Sequence, residues 1–400
     1  MTATTALASR GGAPVRRTPL PYALPLFGEE EKREILEALD SGWITTGPRV
    51  KKLEAELAEA VQARHVVCVD SCTAALHIAL VTLDLKPGEE VITSPLTFCS
   101  TVNSIVHAGG TPVLADVEPD TLNLDPAHLR TAITPRTRAV LPVHYGGHPC
   151  EMDSILDLCR QHGLTVIEDA AHAVGATYKG RPVGSLGDMT CFSFYATKNI
   201  TTAEGGALAT DHEASAEKAR LLMLHGMSKD AWKRYSSAGS WYYEVLLPGF
   251  KYNMTDLEAA LGLHQLRKLP AFTRRRRELA SRYDEAFREH PAIEIPAWRS
   301  QAEHVYHLYP IRLRLERLGI DRARFIEELK AENIATTVNF IPIHYHPYYR
   351  ERLGLSRGAL PVAEAAYERL ISLPLYPRMT DADANDVIQA VSKVAAAFVL

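Results

Sequence analysis

The sequence predicts an α/β fold in which a mostly parallel sheet carries helices on both faces. Short apolar runs alternate with helical patterns through the first half of the chain, which is typical of βαβ units. Polar side chains follow several of these runs, where the carboxyl ends of the strands would lie. The runs predicted as strands include His65–Val69, Val91–Thr93, Pro112–Ala115, Ala139–Val143, Val166–Ile167, Met189–Phe194 and Leu208–Ala209.

The length of the chain predicts more than one domain. Its 400 residues are too many for one ordinary hydrophobic core. Residues 1–20 are predicted to be a flexible arm, because no apolar core follows Arg16 and Arg17 as an export signal would require. Residues 21–270 are expected to form the large domain, and residues 271–400 a smaller C-terminal α+β domain. The basic run Arg274–Arg277 is predicted to be a solvated helix face.

Composition excludes several classes of function. The hydrophobic share of 46% and the charged share of 23% are those of a globular chain. A net charge of -4 provides no basic field for nucleic acid, and no apolar run is long enough to span a bilayer. The six cysteines show no paired spacing of the metal or redox kind, so the expected location is the reducing cytoplasm.

The first predicted strand leads into a helix start that suits a phosphate. Residues Asp70–His77 follow His65–Val69 and open an apolar helix. The free N–H groups and the positive dipole end of such a helix attract an anion, and Thr73 can add a hydroxyl. A plain Ser/Thr helix cap explains the same residues.

Asp169 stands at the end of a later strand, after Leu164–Glu168 and before small residues. A buried carboxylate at this point can pair with a pyridinium nitrogen and keep it protonated, as an electron-withdrawing pyridoxal phosphate ring requires. The alternative is that Asp169 caps the next helix.

Lys198 follows the strand Met189–Phe194 and precedes a glycine turn. A lysine whose amine is partly desolvated can lose its proton and form a Schiff base with an aldehyde cofactor. Ser193 lies close enough in sequence to offer a second hydroxyl to the same phosphate. Taken alone, a lysine after a strand is usually a solvated loop charge, so this interpretation of Lys198 depends on its partners.

The order of helix start, aspartate and lysine resembles one known family. From about Pro21 to the C-terminus the chain resembles the DegT/StrS family of pyridoxal-phosphate-dependent sugar aminotransferases, which are fold-type I enzymes with a mostly parallel seven-stranded sheet. It is most similar to the branch that aminates a UDP-4-keto-pentose to 4-amino-4-deoxy-L-arabinose. The segments that carry the resemblance are Ser41–Pro48, Pro142–Gly146, Glu168–Gly175, Lys198–Gly206 and Gly249–Asp256.

The resemblance implies a role for each matching residue. Lys198 would form the Schiff base with pyridoxal phosphate, and Asp169 would pair with the ring nitrogen. Asn253 would reach the phosphate of the neighbouring subunit, which implies a homodimer with shared active sites. The residues implied to hold the rest of the cofactor are Thr73, Ala74 and Ser193 at the phosphate, Phe98 stacked on the ring and His172 beside it.

The implied reaction moves an amino group from L-glutamate to a keto sugar nucleotide, most directly a UDP-linked 4-keto sugar. It proceeds by a ping-pong mechanism through pyridoxamine phosphate. The alternatives are a 3-keto sugar nucleotide or a cyclitol ketone as acceptor, and a regulatory module that binds the cofactor without catalysis. Lys198 argues against the dehydratase branch, in which His replaces the lysine. Tyr195 and Cys72 depart from the most similar branch and leave the particular sugar open.

Two histidines near the C-terminus raise the question of a metal site. His344 and His346 are one residue apart, but no third ligand is apparent in the segment, so no metal is predicted. A structural or substrate-contacting role is expected instead. His307 is expected to approach the sugar nucleotide.

Overall fold

The computed structural model describes residues 6–228 and 242–400. Its strands are β1 His65–Val69, β2 Glu90–Thr93, β3 Thr111–Leu114, β4 Thr137–Leu141, β5 Thr165–Asp169, β6 Thr177–Tyr178, β7 Arg181–Pro182, β8 Met189–Ser193, β9 Gly206–Thr210, β10 Ile293–Glu294, β11 Ala302–Glu303, β12 Tyr309–Leu313 and β13 Leu370–Leu373. Its α-helices are α1 Glu29–Asp40, α2 Pro48–Val61, α3 Cys72–Val81, α4 Cys99–His107, α5 Pro126–Ala132, α6 Met152–His162, α7 Glu213–Leu222, α8 Asp256–Phe287, α9 Arg322–Ala331, α10 Pro347–Leu353, α11 Pro361–Arg369 and α12 Asp381–Phe398.

Within the described residues, seven strands form the main sheet in the order β1-β9-β8-β5-β4-β2-β3. All run in one direction except β9, which pairs antiparallel with both of its neighbours. The predicted mostly parallel seven-stranded sheet is therefore confirmed. Since β1, β5 and β8 point the same way, their carboxyl ends meet at one edge of the sheet.

Alternate side chains of each strand enter two different cores. In β1, Val66 and Cys68 pack with α2, α6 and α8, whereas Val67 and Val69 pack with α3 and α7. This two-sided burial is why the strands are apolar almost throughout instead of alternating with polar residues. Helices cover both faces of the sheet, as the sequence predicts.

The C-terminal part has its own antiparallel sheet, β10-β12-β13, packed against α9, α12 and the second half of α8. The predicted boundary after residue 270 falls inside α8, which continues through Pro270 to Phe287. One helix thus contributes to the core under the main sheet and to the core of the smaller sheet. The division of the chain into two domains stays a prediction.

The expectation of a flexible N-terminal arm does not hold for residues 6–20. Leu7 and Leu20 are buried, and the backbone of Leu20 exchanges hydrogen bonds with Asn333 and Ala335. Arg16 forms ion pairs with Asp383 and Asp386 of α12. These partners lie more than 300 residues away in sequence, so no local pattern could reveal them.

The basic run in α8 is only partly a solvated face. Arg274 is exposed, whereas Arg276 is buried and donates hydrogen bonds to the backbone carbonyls of Tyr306, His307 and Leu375. Successive helical residues are about 100° apart, so one residue in a run of four must face inward. Burial lowers the pKa of Arg276 to about 10, although the nearby Tyr22 opposes this shift.

No helix within residues 6–228 and 242–400 is both long and apolar enough to cross a membrane. The cysteines are unpaired, and most are buried as small apolar side chains.

Candidate active site

A cavity of about 470 Å³ opens at the edge of the sheet where β1, β5 and β8 end. The chain contributes to it from the helix starts after β1 and β2, from the strand ends and from the C-terminal part. Its lining includes Tyr22, Ser71, Cys72, Thr73, Thr97, Phe98, Asp169, His172, Ser193, Tyr195, Lys198, His307, Leu308, Asn339, Phe340 and Leu375. Most of the predicted site residues therefore share one cavity.

Lys198 lies in the loop that follows β8. The loop is held by backbone hydrogen bonds from Lys198 N–H to Tyr195 and from Thr202 N–H to Phe194. Burial lowers the pKa of the lysine to about 8, because the charged amine is desolvated, while the nearby Cys72 and Asp169 oppose the shift. A substantial share of the amine is thus neutral near pH 8, which a Schiff-base lysine requires.

Asp169 ends β5 and is 4% exposed. Its Oδ2 accepts a hydrogen bond of 2.7 Å from the Thr101 hydroxyl, and its Oδ1 accepts one of 3.1 Å from the Ala171 N–H. Burial raises the pKa of the carboxyl group, and these two hydrogen bonds counteract the rise. The structure places this carboxyl group in the same cavity as the Lys198 amine.

The start of α3 lines the cavity with Ser71, Cys72 and Thr73. The Ser71 hydroxyl caps the helix by accepting from the Ala74 N–H at 3.1 Å, which leaves the N–H groups of Cys72 and Thr73 without an acceptor inside the helix. Gly206 allows close packing here, because a Cβ on it would lie 2.5 Å from the Cys72 nitrogen. Thr73 lines the cavity, whereas the Ala74 amide is engaged by the cap.

Ser193 and Asn253 occupy different positions relative to the cavity. Ser193 is buried at the end of β8 and lines the cavity. Asn253 is outside the described lining and donates a hydrogen bond of 2.6 Å to the Thr46 hydroxyl of its own chain. Its contact with a neighbouring subunit stays a prediction.

Aromatic side chains form the walls. Phe98 begins α4 and is 59% exposed toward the opening, with its ring centroid 6.1 Å from that of Phe340. His172 stacks on Phe340 at an interplanar angle of 13° and lies 4.4 Å from the ring centroid of His307. Phe98 therefore presents an exposed aromatic side chain to the cavity.

The two histidines are neutral and carry their protons on different nitrogens. His172 Nδ1 accepts from the Gly146 N–H at 3.3 Å, so its proton is on Nε2. Asn199 donates its amide N–H to the Val305 carbonyl, so its oxygen faces His307 Nδ1 at 3.1 Å and that nitrogen holds the proton. Burial lowers the pKa of both well below the usual range, and their neighbours lower it further.

Sequence reasoning missed part of the lining. Thr97 had a local signal, because it directly precedes Phe98. Thr101 lies behind the lining, where it is bonded to Asp169. Asn339, Phe340 and Leu375 had no such signal, since they lie far along the chain from every motif.

The histidine pair near the C-terminus takes part in a structural contact. His344 lies in the short helix Ile343–Tyr345, not on a strand, and its Nε2 is 3.0 Å from Glu364 Oε1. In the part of the chain that the structure describes, no group of three or more His, Cys, Asp or Glu side chains is arranged to hold a metal ion.

The residues of the cavity fit pyridoxal phosphate. They include a buried amine with a lowered pKa, a buried carboxyl group and a helix start with unpaired amide donors for a phosphate. The exposed aromatic side chain of Phe98 suits an aromatic ring. This set of donors matches the chemical groups of that cofactor.

Comparison with known proteins supports the same class. Residues 25–392 match the DegT/DnrJ/EryC1/StrS aminotransferase family. Spore coat polysaccharide biosynthesis protein SpsC of Bacillus subtilis (strain 168) is 54% identical over 376 residues, which cover 94% of this chain and 97% of SpsC. Putative sugar aminotransferase Spr1654 from Streptococcus pneumoniae, in its PMP form, has a TM-score of 0.89 at 35% identity, covering 94% of this chain and 99% of Spr1654. DesI in the presence of its TDP-sugar product has a TM-score of 0.85 at 31% identity, covering 98% and 95% respectively.

The fold and the cavity define a fold-type I enzyme that depends on pyridoxal phosphate. The chain belongs to the DegT/DnrJ/EryC1/StrS aminotransferase family, and it is an aminotransferase related to sugar aminotransferases. The predicted family, fold, enzyme class and cofactor are confirmed. The branch that acts on a UDP-4-keto-pentose stays a prediction.

Proposed function

We propose that this enzyme transfers the amino group of L-glutamate to a keto sugar nucleotide, foremost a UDP-linked 4-keto sugar. The observation that carries the proposal is the buried Lys198 amine, whose pKa is lowered to about 8, in one cavity with the Asp169 carboxyl group. Because this pKa is below that of an ordinary lysine, a larger share of the amine is neutral, and a neutral amine can both attack a carbonyl carbon and accept a proton.

Each side chain has a defined task in the proposed reaction. Pyridoxal phosphate, when bound, supplies an aldehyde and an electron-withdrawing ring. The Lys198 Nζ would take the proton from the α-carbon of glutamate and deliver it to the aldehyde-derived carbon of the cofactor. Asp169 keeps a positive charge on the ring nitrogen by charge pairing. Thr73 and Ser193 would hold the phosphate, and Phe98 and His172 would hold the ring. Ala74 stays a predicted phosphate contact, because its amide is engaged by the Ser71 cap.

The acceptor is proposed from the relatives and from the cavity. The DesI structure contains a TDP-sugar product, and the opening of this cavity is bordered by the exposed rings of Phe98 and Tyr195. Neutral His307 offers its Nε2 as an acceptor for a sugar hydroxyl, because its Nδ1 holds the proton. Both features suit a polar ring attached to a larger nucleotide.

A matched substrate panel tests this proposal. The purified enzyme is loaded with glutamate and then offered UDP and TDP sugars with the ketone at C4 or at C3, and a cyclitol ketone. We expect the fastest amination with a UDP-linked 4-keto sugar. Preference for a 3-keto sugar or a cyclitol would support the second candidate acceptors, and no amination of any ketone would contradict the proposal.

We also propose that the working unit is a homodimer with shared sites. Asn253 binds Thr46, and the neighbouring Trp43 and Ile44 are 40% and 50% exposed, so an apolar surface lies beside the residue assigned to the partner's phosphate. The unpaired cysteines support a working place in the reducing cytoplasm.

Mixed dimers test the shared site. Lys198→Ala subunits are coexpressed with Asn253→Ala subunits, each variant being nearly inactive alone. A shared site should restore activity above the sum of the parents, because one of the two sites then has both residues intact. Activity equal to that sum in verified mixed dimers would show that Asn253 serves its own subunit.

A further inference from the structure

A chain of two hydroxyl groups ends on Asp169. Thr101, in the first turn of α4, places its Oγ1 2.7 Å from Asp169 Oδ2. Thr97, just before that helix, places its Oγ1 2.6 Å from the Thr101 Oγ1. Both threonines are buried, with exposed fractions of 2% for Thr97 and 0% for Thr101. These distances are at the short end of the range for O–H···O hydrogen bonds.

The direction of the chain follows from the chemistry of its last member. An ionised carboxylate can only accept, so Thr101 must donate to Asp169. A hydroxyl has a single hydrogen, so the Thr101 oxygen can only accept from Thr97. Both O–H dipoles therefore point toward Asp169, and hydrogen bonds in such a chain strengthen one another.

Burial of Asp169 is opposed by the Thr101 hydroxyl first and then by the Ala171 N–H and by nearby cationic groups. Burial favours the neutral acid. The thiols of Cys72 and Cys191 also lie close to it, and burial raises their pKa well above the usual range, so they bring no charge. The ionisable groups that face it are Lys198 and His144, whose Nε2 lies 2.8 Å from Glu168 Oε2. Among the described residues, Thr101 is the side chain that donates a hydrogen bond to this carboxylate.

The carboxylate retains capacity for a further donor. Its two oxygens offer about four acceptor positions. Thr101 occupies one on Oδ2, and the Ala171 N–H occupies one on Oδ1. The remaining positions can receive the N–H of a protonated pyridine ring.

We propose that Thr101, backed by Thr97, is a positioning residue that keeps Asp169 ionised and oriented so that the cofactor's ring nitrogen stays protonated. The inference rests on the role proposed above for Asp169. Without the Thr101 donor, the proton shared between ring nitrogen and carboxylate would move toward the carboxylate. The ring would then withdraw electrons less strongly.

The test measures ring protonation directly. The enzyme is reconstituted with pyridoxal phosphate carrying an isotope-labelled ring nitrogen, and the nitrogen NMR signal is recorded at neutral pH. The variants are Thr101→Val, which keeps the shape and removes the hydroxyl, and Thr101→Ser, which keeps the hydroxyl. Thr97→Val removes the outer donor, and Asp169→Asn is the reference for an unprotonated ring.

We expect the signal of Thr101→Val to move toward that of Asp169→Asn, and the signal of Thr101→Ser to stay with the unaltered enzyme. The single-turnover rate with glutamate should fall by at least about tenfold in Thr101→Val, the effect of losing one hydrogen bond to a charged group. Thr97→Val should give a smaller shift in the same direction, and it decides the question if Thr101→Val does not fold.

The outcomes separate this inference from the role of Asp169. An unshifted Thr101→Val signal together with a shifted Asp169→Asn signal would overturn the positioning role of Thr101 but not the role proposed for Asp169. If Thr101→Val does not fold, an unshifted Thr97→Val signal overturns it. An unshifted Asp169→Asn signal would overturn the role of Asp169 and this inference with it.

Discussion

The two sides of the cavity are built in different ways. The cofactor face, made of Thr73, Asp169, Ser193 and Lys198, lies at or just beyond the strand ends of the main sheet. The opposite side, proposed here as the substrate wall, is made of His307, Leu308, Asn339, Phe340 and Leu375 from the C-terminal half of the chain. The cofactor face is positioned by the strands of one sheet and by the helix and loop that directly follow them. The substrate wall depends on side chains that tie separate segments together.

This difference suggests how the choice of substrate can change while the transamination reaction stays the same. Changes in the wall need not disturb the strands that hold the reactive groups, because the wall residues belong to other segments. Arg276 illustrates the point, since its guanidinium joins the segments of Tyr306, His307 and Leu375 from behind the wall. We therefore expect variants of the cofactor face to lose activity with every acceptor, and variants of the substrate wall to keep the cofactor but bind the ketone more weakly.

The largest effect is expected at Lys198. Lys198→Ala should lower transamination of every acceptor by about 10²–10⁴-fold, because the group that moves the proton is lost. The measurement is the steady-state rate with several ketones. Lys179→Ala, which changes an exposed lysine, serves as the matched control. Normal transamination by Lys198→Ala would refute its place on the cofactor face.

The next effect is expected at Asp169. Asp169→Ala should lower the rates of both half-reactions by about 10²–10³-fold, because one electrostatic partner at the reacting centre is removed. Stopped-flow single turnovers with glutamate, and then with the ketone, measure the two rates separately. A loss in one half-reaction alone would place Asp169 with the substrate and not with the cofactor.

Arg276→Met tests the substrate wall. The change leaves buried carbonyls unpaired, so the free energy of unfolding should fall by about 2–4 kcal/mol. Urea unfolding measures this, with Arg274→Met on the exposed face as control. The folded variant should still bind the cofactor but show a raised KM for the ketone. An equal loss of cofactor binding would mean that the two sides are not independent.

The smallest effect concerns pH. Because burial lowers the pKa of Lys198 to about 8, the neutral amine predominates above that pH and the charged amine below it. Cofactor uptake by the apoprotein should therefore speed up as pH rises and level off above about 8, with a rate at pH 7 roughly tenfold below the plateau. Uptake rates measured from pH 6 to 10 test this. An uptake rate that does not change with pH would show that the protonation state of the Lys198 amine does not limit cofactor uptake.

The strand-based part of the fold was predictable because its signals are local. The runs His65–Val69 and Met189–Phe194 match β1 and β8 within one residue, since strands buried on both faces are apolar throughout. The run Arg274–Arg277 lies in a helix, α8, as predicted. The arm over residues 6–20 and the buried Arg276 were mispredicted, because their partners are distant in sequence.

The sequence alone determined the fold class and the family, and it singled out Thr73, Asp169, Ser193 and Lys198, which line one cavity, because these signals are short patterns at strand ends. The roles of these residues toward the cofactor stay predictions. Only the tertiary structure decided that Asn339, Phe340 and Leu375 complete the cavity, and that Thr101 binds Asp169. The physical reason is that a lowered pKa or an oriented carboxylate depends on burial and on neighbours. Those neighbours are brought together by the packing of segments that are far apart along the chain.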